Sequence, residues 1–155
     1  MPSEHQVSLR YHNRPEGHHM PVTLSSPANL MQGTPYHHVA VATGTRHVYV
    51  SGQIARTADG THVAPDDLAG QVEQALRNTH TGLSSAGATF SDVARLTFYV
   101  TGWTPDKMGA FMAGVEAVAE EVGLPLPMPP ASLIGVDYLF EPDVLVEVEA
   151  TAILD

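Results

Sequence analysis

Hydrophobic and polar positions alternate most sharply near the C-terminus. There Val144, Val146, Val148 and Ala150 interleave with Leu145, Glu147, Glu149 and Thr151. A period of two predicts a strand with Glu147 and Glu149 on one side and the valines on the other. A second β-rich run starts after Pro130, and a turn built on Pro142 and Asp143 separates the two. Upstream, residues 93–101 alternate as Val93, Arg95, Thr97 and Tyr99 against Ala94, Leu96, Phe98 and Val100, which predicts another long strand. Residues 36–43 and 47–55 are β-rich and flank Gly44-Thr45, so a hairpin is expected there. Gly52, inside the second of these runs, marks a bulge or a close approach to the backbone. The Val22-Thr-Leu24 stretch predicts a short first strand.

Two segments follow the helical period instead. Pro65-Asp66-Asp67 opens the first, with an acidic first turn and Asp66 or Asp67 as cap; Leu68, Val72, Ala75, Leu76, Thr79 and Leu83 fall on one face, and Gly87 ends it. Pro105 opens the second, whose apolar face is Met108, Phe111, Met112, Val115, Val118, Ala119 and Val122, closed by Gly123. Residues 125–130 hold four prolines and predict a stiff connector. The order is strand, strand, strand, helix, strand, helix, strand, strand. That predicts an α+β domain with two helices on one face of a mixed sheet.

Composition narrows the function more than the fold. At 155 residues one domain with a full core is expected. Residues 1–19 are polar and lack apolar periodicity, so they read as a flexible N-terminal arm ahead of a folded unit over 20–155. His5, His12, His18 and His19 lie in that arm, with no scaffold to fix metal-ligand spacing. Only 15% of residues are charged, which suggests surface buried between subunits. The net charge of -10 and the lack of a basic stripe argue against a nucleic-acid partner. Without cysteine there is no disulfide, thiolate nucleophile or Cys-ligated zinc. No apolar run approaches the ~20 residues that span a bilayer, and the polar start lacks a signal-peptide core, so no membrane partner and a cytoplasmic location are expected.

Several motifs in order resemble one family. These are Val50-Ser-Gly-Gln-Ile54, Gln71-x-x-x-Ala-Leu-x-Asn78, Gly87-Ala-Thr-Phe-Ser-Asp-Val93, Pro130-Ala-Ser and Val146-Glu-Val-Glu-Ala-Thr-Ala152. Together they are similar to the Rid family (reactive intermediate deaminases, the YjgF/YER057c/UK114 family) over roughly residues 20–155. The resemblance implies a chorismate-mutase-like α+β fold and a homotrimeric barrel with the helices outside. It also implies small-molecule sites in three inter-subunit clefts. It further implies hydrolysis of enamine or imine intermediates to a keto acid and ammonia, without metal or cofactor. Carried over position by position, the water-holding glutamate is Glu147, the loop tyrosine is Tyr36, and the Ser-Gly pair is Ser51-Gly52. The backbone carbonyl contact to water falls at Ile134, and the cleft-side helix position at Met112. The family's carboxylate-binding arginine position is occupied by Ser132. Serine cannot form a bidentate clamp, and no Lys or Arg in the 130s replaces it. A more neutral, more apolar site than the archetype is therefore expected, and substrates other than α-imino acids.

Each candidate also has a plainer role. An apolar cleft raises a carboxylate pKa, and Glu149 beside it raises that of Glu147 further, toward the range useful for a general base; otherwise Glu147 is a structural glutamate bonded to a neighbouring strand. Ser132 is a hydrogen-bond donor to a neutral substrate or a small residue that opens space. Tyr36 supplies a phenol at a cleft rim or packs as an amphipathic residue. His37 and His38 face opposite sides and cannot share one metal. Trp103 and Met112 suit core packing. Three readings stay open: a Rid-type imine hydrolase with an unusual substrate, a divergent enzyme using Glu147 for another proton-transfer or hydration step in a dedicated pathway, and a trimeric binding protein without turnover.

Overall fold

The computed structural model describes residues 21–155; the expected arm at 1–19 and its histidines lie outside the described residues. The elements are β1 (Val22–Ser25), β2 (Val39–Ala42), β3 (Arg46–Gln53), α1 (Leu68–Ser85), β4 (Val93–Thr101), α2 (Met108–Val122), β5 (Ala131–Val136) and β6 (Val146–Leu154), in the predicted order. Strands β3, β6, β4 and β5 form one sheet in that spatial order. Its central pairs β3–β6 and β6–β4 are antiparallel, whereas β4 and β5 run parallel. A parallel pair needs a crossover, and α2 supplies it. Both helices pack on the same face of this sheet and against each other.

Two strand pairings differ from expectation. Strands β2 and β3 do not form a hairpin: β2 pairs with β1 in a separate two-stranded sheet, and β3 pairs with β6. Gly44 is not a hairpin glycine but a crossing point. A Cβ there would lie 2.4 Å from the Leu154 carbonyl oxygen, so the chain passes the end of β6 where only glycine fits. Nor are the last two strands neighbours. The run after Pro130 leaves the sheet at Val136, and residues 137–145 cross the end of β4 before β6 begins. Tyr138 and Phe140, which looked like strand residues, are exposed on that loop.

The core lies between helices and sheet. Val72, Ala75, Leu76 and Leu83 of α1 meet Phe111, Val115 and Val118 of α2, with Leu96, Phe98, Val100, Val146 and Val148 beneath them. Each large apolar side chain buried there contributes about 1.5–3 kcal/mol before entropic costs. Met108 departs from the predicted stripe and is exposed. Asp67 is the cap of α1, accepting from the Gly70 N–H at 3.1 Å; Asp66 precedes it with φ 59, so the first turn itself carries no acid. Gln71 is fully buried within the apolar stripe of α1. Its amide donates to the carbonyls of Asp143 (3.0 Å) and Ala64 (3.3 Å) and accepts from the Leu145 N–H (2.9 Å). It thereby fixes the backbone immediately before β6.

Candidate functional site

The valines of β6 enter the core, so Glu147, Glu149 and Thr151 stand on the opposite, outer face of the sheet. The same parity sends Arg95, Thr97 and Tyr99 of β4, Ser132 and Ile134 of β5, and Tyr49 and Ser51 of β3 to that face. Register decides who meets whom: Tyr99 lies opposite Glu147 and beside Ile134, while Thr97 lies opposite Glu149 and beside Ser132. An open depression of about 380 Å³ on this face is lined by Tyr49, Ser51, Arg95, Thr97, Glu149 and Thr151, among others.

Glu147 rests on the bulge in β3. The β3–β6 register slips between Val50 and Gln53, as the internal glycine suggested. A Cβ at Gly52 would meet the Glu147 carboxylate at 1.8 Å, so the side chain lies directly over bare backbone. Burial, and then repulsion from Glu149, push the Glu147 pKa up. Among the described residues no hydrogen bond holds its carboxylate. Its neighbour differs: the Tyr99 hydroxyl donates to Glu149 Oε1 at 2.6 Å. That bond, followed by burial, raises the tyrosine pKa. The cross-strand structural bond considered for Glu147 belongs to Glu149, and among the described residues the Glu147 oxygens have no such partner.

The charge of the site differs from expectation. Arg95 on β4 donates through Nη2 to Ser132 Oγ at 2.5 Å. A guanidinium therefore stands at the serine, and the face is polar, not neutral and apolar. Strand parity placed Arg95 with Tyr99, but the parallel β4–β5 register that sets Thr97 beside Ser132 is not visible in either strand alone. Arg95 is the functional candidate that sequence reasoning passed over.

Tyr36 and Met112 are not brought to Glu147 within one chain. Met112 is on α2 and packs against the core from the helix side. Tyr36 also packs against the core, bridged to Met128 in the connector before β5, with its ring edge-on to His38. Trp103 packs edge-on to Phe111. His37 and His38 contact different loop atoms, Ser26 Oγ (3.5 Å) and the Met31 carbonyl (2.7 Å) respectively.

Among the described residues, His62, Glu141 and Asp143 place metal-capable atoms within 4.8 Å of one another. Arg56 already stands among them, with Nη2 at 3.0 Å from Glu141 and 2.8 Å from Asp143. Its bond to Asp143 lowers that carboxyl's pKa. The cluster is an ion-pair clasp between the loop after β3 and the loop before β6. Asn78 of α1 holds the former loop, donating to the carbonyls of Ile54 and Arg56 at 2.9 Å each.

Residues 27–154 match the family model described as Endoribonuclease L-PSP. No curated protein matches the chain. Among solved structures, a protein of unknown function of the conserved Rid family, YyfB of Yersinia pestis, is 34% identical, with 87% of this chain and 100% of that chain covered and a TM-score of 0.78. The YjgF gene product of Escherichia coli is 27% identical over 88% of this chain and 98% of that chain, TM-score 0.59. A Mycobacterium tuberculosis member of the YjgF/YER057c/UK114 family is 27% identical over 86% of this chain and 99% of that chain, TM-score 0.54.

Proposed function

Because the chain belongs to the Endoribonuclease L-PSP family, the YjgF/Rid family, we propose that it hydrolyses reactive imines or enamines and releases ammonia. Glu147 is the general base. Its ionised carboxylate accepts a proton from water as the water oxygen bonds to the imine carbon, and the C=N π electrons move to nitrogen. The tetrahedral intermediate then collapses: the proton held by Glu147 passes to nitrogen, the freed carboxylate takes the hydroxyl proton as the C=O bond forms and delivers it to that nitrogen as the C–N bond breaks, and ammonia leaves a carbonyl product. The observation that carries this reading is the Glu147 carboxylate over Gly52, free of hydrogen bonds among the described residues and with a raised pKa. A carboxylate whose pKa is raised from its ordinary value is a better proton acceptor once ionised.

The reading includes a homotrimer with the sites in clefts between copies. The exposed Tyr49, Tyr138 and Phe140 support burial against a second copy. In this reading Tyr36 reaches the reacting face from a neighbouring copy, whereas Met112 stays packed against the core on the helix side. Phosphodiester cleavage is disfavoured for this chain by its net charge of -10 and by two acids on the reacting face.

Ammonia release from freshly generated imines of several amino acids tests the proposal. The wild type is expected to exceed the solvent rate, and Glu147→Gln to lose about 10²–10⁴-fold. Hydrolysis at the solvent rate by both proteins for every imine overturns it, leaving another reaction or simple binding at the same face.

A further inference from the structure

We infer that Tyr99 is a positioning residue for Glu147: its hydroxyl draws Glu149 toward β4, so that the two acids of β6 do not close on each other over one proton. The inference deepens the hydrolase reading and rests on that reading's choice of Glu147 as base. Glu147 and Glu149 stand two residues apart on one strand face, a backbone separation of about 6.6 Å. Two flexible carboxylates at that spacing can reach each other. A proton shared between them occupies an oxygen that otherwise accepts from water.

The sheet holds the two apart. Strand β6 lies between β3 and β4, and its acids lean opposite ways. Glu147 lies toward β3, over the backbone of Gly52. Glu149 reaches β4, where the Tyr99 hydroxyl donates to its Oε1 at 2.6 Å. Register alone would pair these groups differently, because Tyr99 sits opposite Glu147 and Thr97 opposite Glu149. The phenol passes its own cross-strand partner and takes the next acid along. Diagonal neighbours on antiparallel strands lie roughly 7–8 Å apart, within reach of an aromatic side chain. Bonded to its direct partner, the same tyrosine would occupy Glu147 itself. Among the described residues no other group on this face bonds either acid. Arg95 of β4 reaches away to Ser132, and His47 and Tyr49 of β3 contact each other at 3.3 Å. Strand β5 presents Ser132 and Ile134 here, neither of them titratable. Glu149 therefore acts on Glu147 as a charge held at a distance, second to burial in raising its pKa.

Two readouts test the inference: the pH dependence of kcat/KM for imine hydrolysis and, apart from turnover, the carbon-13 resonance of the Glu147 carboxyl. A proton held by two carboxylates is lost at higher pH than one held singly. Tyr99→Phe is therefore expected to move the acid limb and the Glu147 titration upward by about one pH unit, with activity returning toward the wild-type value above the displaced limb. The shift is expected to need Glu149, so that Tyr99→Phe combined with Glu149→Ala titrates at or below the wild type. Replacing Tyr99 by 4-aminophenylalanine, which keeps an N–H donor at the end of the ring, is expected to restore the wild-type limb. A tyrosine that only braces the sheet would lower activity at every pH without moving the limb, and that result overturns the inference. So does an upward shift that persists when Glu149 is alanine. Should Tyr99→Phe fail to fold, the wild-type titration decides. A single step at the Glu147 carboxyl supports the inference, and two steps of comparable size, the mark of a shared proton, overturn it. If no imine is hydrolysed but the Glu147 resonance shifts as expected, the hydrolase reading falls alone. Glu147-dependent hydrolysis whose acid limb ignores Tyr99→Phe sinks the positioning role alone.

Discussion

Glu147 and Glu149 share a strand, a face and a charge, yet their surroundings divide them. Tyr99 anchors Glu149, while Glu147 leans on a glycine that offers no side chain. Because burial, and then the neighbouring Glu149, hold the Glu147 pKa above its ordinary value, its protonated form is the one the fold favours. The stabilising effect is complete below the unfolded pKa and is lost as pH rises through the folded one. Glu147→Gln is therefore expected to raise the melting temperature at pH 7, and the gain to vanish below about pH 4.5; melting curves across pH check the sign. Catalysis has the opposite requirement, so the acid limb of the activity profile is expected above 4.5. Gly52→Ala tests the same contact from the other side. Its methyl displaces a carboxylate that would lie 1.8 Å away, so activity is expected to fall at least about 100-fold, with the circular dichroism spectrum unchanged.

At the scale of elements, α1 does more than cover the sheet. Gln71 grips the chain entering β6, and Asn78, seven residues on, grips the chain leaving β3. One helix face thus sets the two strand ends that carry Glu147 and Gly52. Gln71→Leu keeps much of the volume but leaves the Leu145 N–H and the Asp143 carbonyl without this partner. It is expected to cost about 1–3 kcal/mol, read from urea denaturation. The helices themselves were legible because an amphipathic stripe is local information. Gln71 was not, since a polar residue in such a stripe looks like noise until the loop it serves is seen beside it. The hairpin expected at Gly44 failed for the same reason: whether a glycine turns the chain or lets another backbone pass depends on Leu154, which is remote in sequence.

For the whole molecule, strand parity and element order were enough to predict two helices on one face of a mixed sheet. Pair order was not, because β6 enters the sheet between β3 and β4, and no local pattern records that insertion. The same gap hid Arg95 from view. The outer sheet face, the exposed aromatic loop and the low charged fraction predict assembly. Light scattering is expected to give a mass three times the 16.5 kDa chain, and Tyr138→Asp with Phe140→Asp to reduce it to that of a single chain. Imine hydrolysis is expected to be lost with the assembly, because the proposed site lies in a cleft between copies.

The parallel pairing of β4 with β5 has a consequence for reading related proteins. Residues 95 and 132 are separated by all of α2, yet they lie on adjacent rungs of the sheet. Each position read singly misreports its surroundings: serine at 132 looks like an uncharged spot until the guanidinium from the neighbouring strand is set beside it. Substitutions at the two positions are therefore expected to be coupled rather than additive, and a double-mutant cycle measures that coupling.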